Sequence, residues 1–289
     1  MRIERELAGL RAATGAWRAA GQRIGLVPTM GALHDGHLAL VAEARRQADV
    51  VIASIFVNPL QFAPTEDLDR YPRDEAGDLA KLQAAGCDLA FLPTPAVMYP
   101  PGDVCVIDPG AGPGSPAEGW EGTARPGHFR GVATVCCKLF MMAQADVAVF
   151  GEKDWQQLQV VRRMVADLLL PVTIQGLPTV READGLAMSS RNRRLSEGER
   201  GQAAALPGLL QRCGAALAAG QPVGPALAEG QAALQAAGFV PDYLALVEPA
   251  TLRPWPAGAA GAARLLVAAR LGEIRLLDNI PVLVPPAPG

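Results

Sequence analysis

Histidine is scarce in this 289-residue chain, and two of its three histidines stand three positions apart in PTMGALHDGH, residues 28–37. An apolar run precedes that segment and an amphipathic one follows it. It therefore reads as a strand-to-helix turn at the edge of a sheet where ligands bind. Gly31 and Gly36 let the backbone turn tightly and come close to a ligand. Residues three apart at a helix start project to one side, so His34 and His37 share a face beside unbonded N–H groups and the positive dipole end. Such a mouth suits a phosphate. Two imidazoles beside it can steady the charge of an adenylyl-transfer transition state or donate a proton to it. The plain alternative is a glycine-rich connection with Asp35 as a local cap. A zinc site lacks ligands, because only His128 remains and no Cys-x-x-Cys pair occurs.

Four more segments have side chains suited to the same kind of chemistry. In FVNPLQF, 56–62, the amides of Asn58 and Gln61 can hold hydroxyls and carboxylates without adding charge, although Asn-Pro also starts turns. FGEKDWQQLQV, 150–160, repeats the strand-to-helix pattern. There Lys153 can pair with a triphosphate, Asp154 can cap the helix or bind a ribose hydroxyl, and Gln157 is expected one turn beyond Lys153 on the same face; a solvated lysine and a simple cap are the plain reading. GLAMSSRNRRL, 185–195, sets Ser189 and Ser190 beside Arg191, a phosphate-binding group whose charge can follow departing pyrophosphate; a polar linker would look similar. EGTARPGHFRG, 121–131, carries Glu121, Arg125, His128 and Arg130, and spacing leaves open which arginine binds a carboxylate. All these groups fall at strand ends or in loops, where sites are built on a rigid sheet.

The elements that must position them are legible as patterns. Apolar runs at 24–28, 50–58, 88–93, 146–151 and 172–180 predict strands, and helical periodicity marks 37–48, 74–86, 129–144 and 154–169. That alternation predicts an α/β fold with a doubly wound, mostly parallel sheet. The last third differs: Ala-rich helices at 196–219 and 222–237 precede strands at 239–247, 263–270 and 274–280, as in a small α+β domain. The expected division is a catalytic domain over 1–180 and a C-terminal domain over 181–289. Residues 108–127 are rich in Gly and Pro and predict a long ordered loop or lid. The N-terminus is charged and helix-like, and the tail VPPAPG is expected to fray.

Composition narrows the classes. A formal net charge of −3 offers no broad basic field for nucleic acid. No apolar run approaches membrane-spanning length; the best candidate is broken by Lys138, Gln144 and Asp146. The N-terminus lacks a signal-type apolar core, and the five cysteines read as free thiols in a reducing compartment, so a cytoplasmic location is expected.

Taken in order, PTMGALHDGH, FVNPLQF, DLDRYPRD, GEKDWQQL, PTVREADGLAMSSRN and LLVAARLGEIRLLDN resemble the successive motifs of the pantothenate synthetase (pantoate–β-alanine ligase) family, from about residue 24 to 280. The resemblance implies a Rossmann-like nucleotidyltransferase domain, similar to the core of class I aminoacyl-tRNA synthetases, with a smaller C-terminal α+β lid domain. It also implies a homodimer, and ATP accompanied by Mg²⁺. Pantoate would be held as pantoyl-adenylate until β-alanine attacks, yielding pantothenate, AMP and pyrophosphate.

By the same resemblance, ATP lies along Met30, Gly31, Ala32, Leu33, His34, Asp35, Gly36 and His37, then Gly151, Glu152, Lys153 and Asp154, then Val180, Met188, Ser189, Ser190 and Arg191. His34, His37, Lys153, Ser189, Ser190 and Arg191 would act in catalysis, with His37 at the proton-donor position. Gln61 would bind pantoate close to β-alanine, Gln157 would hold pantoate, and Asn58, Glu121 and Arg125 match further pocket positions. Asp35 stands where Glu is usual and Trp155 where Tyr or Phe is common, and 108–119 is the least matched stretch. No side-chain nucleophile is required, which agrees with the lack of an obvious Ser–His–Asp or Cys–His set. The rival readings are a nucleotidyltransferase acting on a phosphate-bearing acceptor, a nucleotide sensor with a decayed site, and a zinc protein.

Overall fold

Strands buried on both faces by crossover helices need apolar side chains at nearly every position, and this chain supplies such runs. In the computed structural model, which describes residues 1–62, 68, 71–110 and 114–286, they become β2 (Ile24–Thr29), β3 (Val50–Ile55), β4 (Leu89–Phe91) and β5 (Val147–Gly151), and the more exposed β1 (Arg2–Glu4) and β6 (Thr173–Leu177) complete the sheet at its two edges. All pair in parallel, in the order β1-β4-β3-β2-β5-β6. Between them run α1 (Leu7–Ala19), α2 (Asp35–Gln47), α3 (Glu75–Ala84), α4 (Pro95–Met98), α5 (Trp120–Ala124), α6 (His128–Ala143) and α7 (Trp155–Asp167). Val27, Val51, Ala53, Ala90 and Val149 from the central strands, with Leu33, Val41 and Leu82 from the flanking chain, are fully buried in one cluster. Each of the valine and leucine side chains among them stabilises the fold by about 1.5–3 kcal/mol.

The C-terminal elements are α8 (Glu197–Ala203), α9 (Ala205–Ala218), α10 (Val223–Ala236), β7 (Val240–Val247), β8 (Gly261–Leu271) and β9 (Ile274–Val284). The three strands form an antiparallel sheet in sequence order. A left-handed φ of 56° at Gly272 helps close the two-residue hairpin between β8 and β9. Ala203, Leu206, Leu217, Leu265, Val267 and Ala269 are the most buried members of this unit's core. The chain divides into two compact units: Met1–Glu152 with Gln156–Pro178, and Lys153–Trp155 with the residues from Thr179 onward. The α/β fold with a smaller α+β unit is thus as the pattern predicts.

Four local details differ from the sequence reading. The N-terminus begins with an edge strand, β1, before its helix; three residues alternate too briefly to signal a strand. Residues 196–219 are two helices broken at Ala204. Ser196 and Glu199 form a capping box at the first, and Pro207 sits in the first turn of the second, where the missing N–H costs nothing. The Gly/Pro-rich stretch contains the short α5. The strand predicted over 50–58 ends at Ile55, because Pro59 opens a 3-10 turn over Pro59–Gln61 capped by Asn58. In DLDRYPRD only Leu68 and Tyr71–Asp74 are described, and 287–289 of the tail likewise lie outside the described residues. Cys87, Cys136 and Cys213 are buried, Cys137 is half-buried and Cys105 exposed, all as free thiols. No helix among the described residues is long and apolar enough to cross a membrane.

Candidate active site

β2 connects toward β3 on one side of the sheet, while its other neighbour, β5, leads away to β6. The carboxyl ends of β2 and β5 therefore flank the point where the winding reverses, the usual ligand crevice of an open α/β sheet. The loop leaving β2 carries the histidine pair, and β5 ends at Gly151.

That first loop has a fixed backbone. Thr29 donates its hydroxyl to Ser54 O at 2.6 Å, tying the end of β2 to β3. Gly31 has φ +82°, and a Cβ there would meet Asp78 Oδ2 at 3.0 Å and Ile55 at 3.1 Å. Ala32 also lies in the left-handed region, at φ 51°, which costs a non-glycine residue about 1 kcal/mol. The buried Asp78 of α3 offsets this: its carboxylate accepts Ala32 N–H at 2.8 Å and Leu33 N–H at 2.7 Å. One turn on, Lys81 donates to Leu33 O at 2.8 Å. His34, extended at φ −134°, is the N-cap of α2, so Asp35 is its first helical residue and not the cap. The His34 N–H donates to His37 Nδ1 at 3.3 Å, and the two rings lie 4.0 Å apart. With Nδ1 accepting, a neutral His37 carries its proton on Nε2.

A second cluster adjoins this loop. Gln61 directs Nε2 at the sulfur of Met30, 3.0 Å away. Asn58 is 1% exposed and fully engaged: Nδ2 donates to Gln61 Oε1 and Gly131 O, each at 3.1 Å, while Oδ1 accepts from the Tyr99 hydroxyl at 2.7 Å and from Leu60 N–H at 3.3 Å. Burial pushes the Tyr99 phenol well above its ordinary range, so it remains a donor. α6 reaches this turn because residue 131 is glycine; a Cβ there would stand 2.3 Å from Leu60 O. His128 Nδ1 lies 2.9 Å from Gln61 O, and Arg125 Nη1 lies 3.1 Å from His128 Nε2. Of the two arginines in this segment, Arg125 turns Nη2 toward Gln61 O at 3.4 Å, while Arg130 is exposed. Glu121 is buried, and its N–H donates to Gln156 Oε1 at 2.9 Å. Gln156 Nε2 in turn donates to Pro116 O at 3.0 Å, so this glutamine anchors the 116–121 loop.

In the second unit, Lys153, Ser189, Arg191, Asn192 and Arg275 line one cleft. Ser189 caps the 3-10 turn Ser190–Arg194, accepting Arg191 N–H at 3.2 Å. Met188 N–H pairs with Val180 O at 3.0 Å, and Asn192 donates to Glu182 at 2.6 Å and to Ala187 O at 3.0 Å. Ser190 is partly exposed. Lys153 Nζ lies 3.4 Å from the Asp154 carboxylate. Lys153 lies in the 3-10 turn Glu152–Asp154, and α7 begins only at Trp155. Gln157 belongs to the first unit with Gly151 and Glu152, and is partly exposed. Among the described residues no cluster of three or more His, Cys, Asp or Glu could hold a metal ion.

Sequence reasoning missed Asp78, Tyr99 and Gln156, which orient the candidate residues from behind. Asp78 alone left a signal, a carboxylate four positions before Leu82 on the apolar stripe of α3.

A family model described as pantoate-beta-alanine ligase matches residues 2–281. The pantothenate synthetase of Acidiphilium cryptum is 55% identical over 283 residues, covering 98% of this chain and 100% of that protein. The pantothenate synthetase of Granulibacter bethesdensis is 53% identical, covering 97% of this chain and 96% of its own. The crystal structure of pantothenate synthetase from Thermus thermophilus matches with a TM-score of 0.89 at 50% identity, over 97% of this chain and 99% of that one. A pantoate-beta-alanine ligase from Francisella tularensis, complexed with beta-gamma ATP and beta-alanine, matches with a TM-score of 0.82 at 31% identity over 97% of both chains.

Proposed function

The chain belongs to the pantoate-beta-alanine ligase family and is a pantothenate-forming ligase, and from that premise we propose that it activates (R)-pantoate with ATP as pantoyl-adenylate. A pantoate carboxylate oxygen attacks the α-phosphorus and pyrophosphate leaves. The β-alanine amine then attacks the acyl carbon, AMP leaves, and the amine's proton passes to solvent or a nearby base. ATP and β-alanine as substrates are supported by the complex of the Francisella tularensis relative.

The observation that carries the proposal is the histidine pair, its rings 4.0 Å apart at the mouth of α2 on a loop whose N–H groups Asp78 holds in place. His37, with its Nε2 proton, meets the charge that develops on the phosphoryl oxygens, and His34 stands beside it. The nucleotide follows Met30 to His37, Gly151 to Asp154, Val180 and Met188 to Arg191. Lys153, Ser189, Ser190 and Arg191 take the departing pyrophosphate, an assignment supported by the cleft that Lys153 and Arg191 share. Gln61 and Gln157 hold pantoate, with Asn58 orienting Gln61 and Arg125 and Glu121 completing the pocket. Positioning and charge stabilisation supply most of the rate. Mg²⁺, when bound with ATP, would supply charge neutralisation at the phosphates with few protein ligands, as suits a chain whose described residues hold no carboxylate cluster. A cytoplasmic homodimer completes the reading, checked by sedimentation at working concentration.

The test is a turnover assay that omits ATP, pantoate or β-alanine in turn. ATP consumption that requires pantoate and yields AMP and pyrophosphate is the expected result; ADP and phosphate would overturn it. Gln61→Ala should weaken pantoate use while leaving ATP affinity little changed.

A further inference from the structure

The C-terminal motif LLVAARLGEIRLLDN, residues 265–279, takes no part in the chemistry above. Its last two residues, Asp278 and Asn279, are each 3% exposed and follow Leu276 and Leu277 on β9. Apolar side chains would continue that strand at no polar cost, and buried ionic groups seldom add net stability over well-packed apolar ones.

What the two side chains touch explains their presence. Arg181 Nη1 and Nη2 donate to Asp278 Oδ2 and Oδ1 at 2.7 and 3.0 Å, a two-pronged pair. Arg181 also donates to Gly185 O at 3.0 Å and bridges Ala187 through its backbone, closing the turn that delivers Met188–Arg191. Asn279 Nδ2 donates to Lys153 O at 2.9 Å, and its Oδ1 accepts Arg264 Nε at 2.6 Å. The Arg264 guanidinium then stacks on Trp155, 3.7 Å from the ring centroid, two residues beyond Lys153. Adjacent residues of one strand thus hold the two segments that carry Lys153 and Arg191, and both of those side chains line the same cleft.

We propose that Asp278 and Asn279 are positioning residues for the adenylation step. Asp278 sets the turn that presents Ser189–Arg191, and Asn279 fixes the backbone from which Lys153 extends. The proposal rests on Lys153 and Arg191 acting on the nucleotide, as proposed above.

Asn279→Asp separates the jobs of that residue. It keeps an acceptor for Arg264, so Trp155 stays stacked, but replaces the donor to Lys153 O with a carboxylate. Two assays on the full chain read the effect: pantoate-dependent ATP–pyrophosphate exchange, and conversion of preformed pantoyl-adenylate by β-alanine. In Asn279→Asp, exchange should fall about 10–100-fold, as for displaced positioning groups, while the second half-reaction changes little. Arg181→Lys, which keeps charge but loses the two-pronged geometry, should show the same split. Adding Asn279→Asp to Lys153→Ala should cost no more than about twofold beyond Lys153→Ala alone, since groups acting through one another are not additive. Full exchange in folded Asn279→Asp and Arg181→Lys, equal losses in both half-reactions, or additive losses in the double variant would each overturn the proposal. If Lys153→Ala itself exchanges normally, it is the functional reading of Lys153 that fails.

Discussion

Two loops assigned to the nucleotide are held by different physical means. In the first unit, residues 30–37 are fixed through their backbone: one buried carboxylate takes two successive N–H groups, and a left-handed glycine and alanine set the turn. In the second unit, residues 181–192 are fixed through long side chains. Arg181 meets Asp278, Arg200 meets Glu182 and Asp184, and Asn192 spans Glu182 and Ala187. A backbone clamp leaves few alternative geometries. A frame of guanidinium and carboxylate pairs can shift by rotamer changes, and it responds to pH. The chemistry of orienting imidazoles calls for the first kind of support; following a departing anion tolerates the second.

The largest effect should come from the rigid loop. His37→Ala is expected to lower pantoate-dependent ATP–pyrophosphate exchange by about 10²–10⁴-fold, the range of a lost general acid, with the fold retained and the unfolding midpoint lowered only by the lost cap of α2. A near-native rate would remove the reason for its rigidity. Next, Asp278→Ala leaves the Arg181 guanidinium without its buried partner and should cost about 3–5 kcal/mol in denaturant unfolding. Asp78→Asn keeps one acceptor and turns an amide N–H toward a second N–H, so a smaller cost of about 1–3 kcal/mol is expected together with slower exchange. Exchange unchanged in Asp78→Asn would mean that the loop does not depend on its backbone clamp.

The smallest effect is the one that depends on pH. Hydrogen bonding to Arg200 holds the Asp184 carboxyl below its usual range. That stability is present above the unfolded carboxylate pKa of about 4 and is lost as pH falls through the lower folded value. Both partners are about one-third exposed, so Arg200→Gln should cost only about 0.2–1 kcal/mol at pH 7. The gap from wild type should close in unfolding curves run near pH 2. A gap that persists in acid would mean the loop is not held by charge.

Much of this architecture could be read from residue order. The central strands were legible because burial on both faces leaves nearly continuous apolar runs, as in VVIASI of β3. The loops leaving β2 and β5 stood out because glycine with histidine, and glycine with lysine, fall where those strands end. What could not be read was the support behind them. Asp78 lies 46 residues from Ala32, and Asp278 lies 97 from Arg181. Local periodicity carries no trace of such pairings. Nor does it show that Gln156, not its neighbour Gln157, anchors the loop before α5, since both stand in the first turn of α7 and only packing distinguishes them.

The three residues Lys153–Trp155 belong with the second unit although chain of the first lies on both sides of them. The boundary is therefore crossed three times, and no single cut separates the units intact. A fragment starting at Thr179 would present Arg264 and Asn279 with neither an indole nor a carbonyl to receive them. Its buried arginine would lose the ring stacked on it, which makes the C-terminal third a poor candidate for independent life and ties its folding to a tripeptide made long before it on the ribosome.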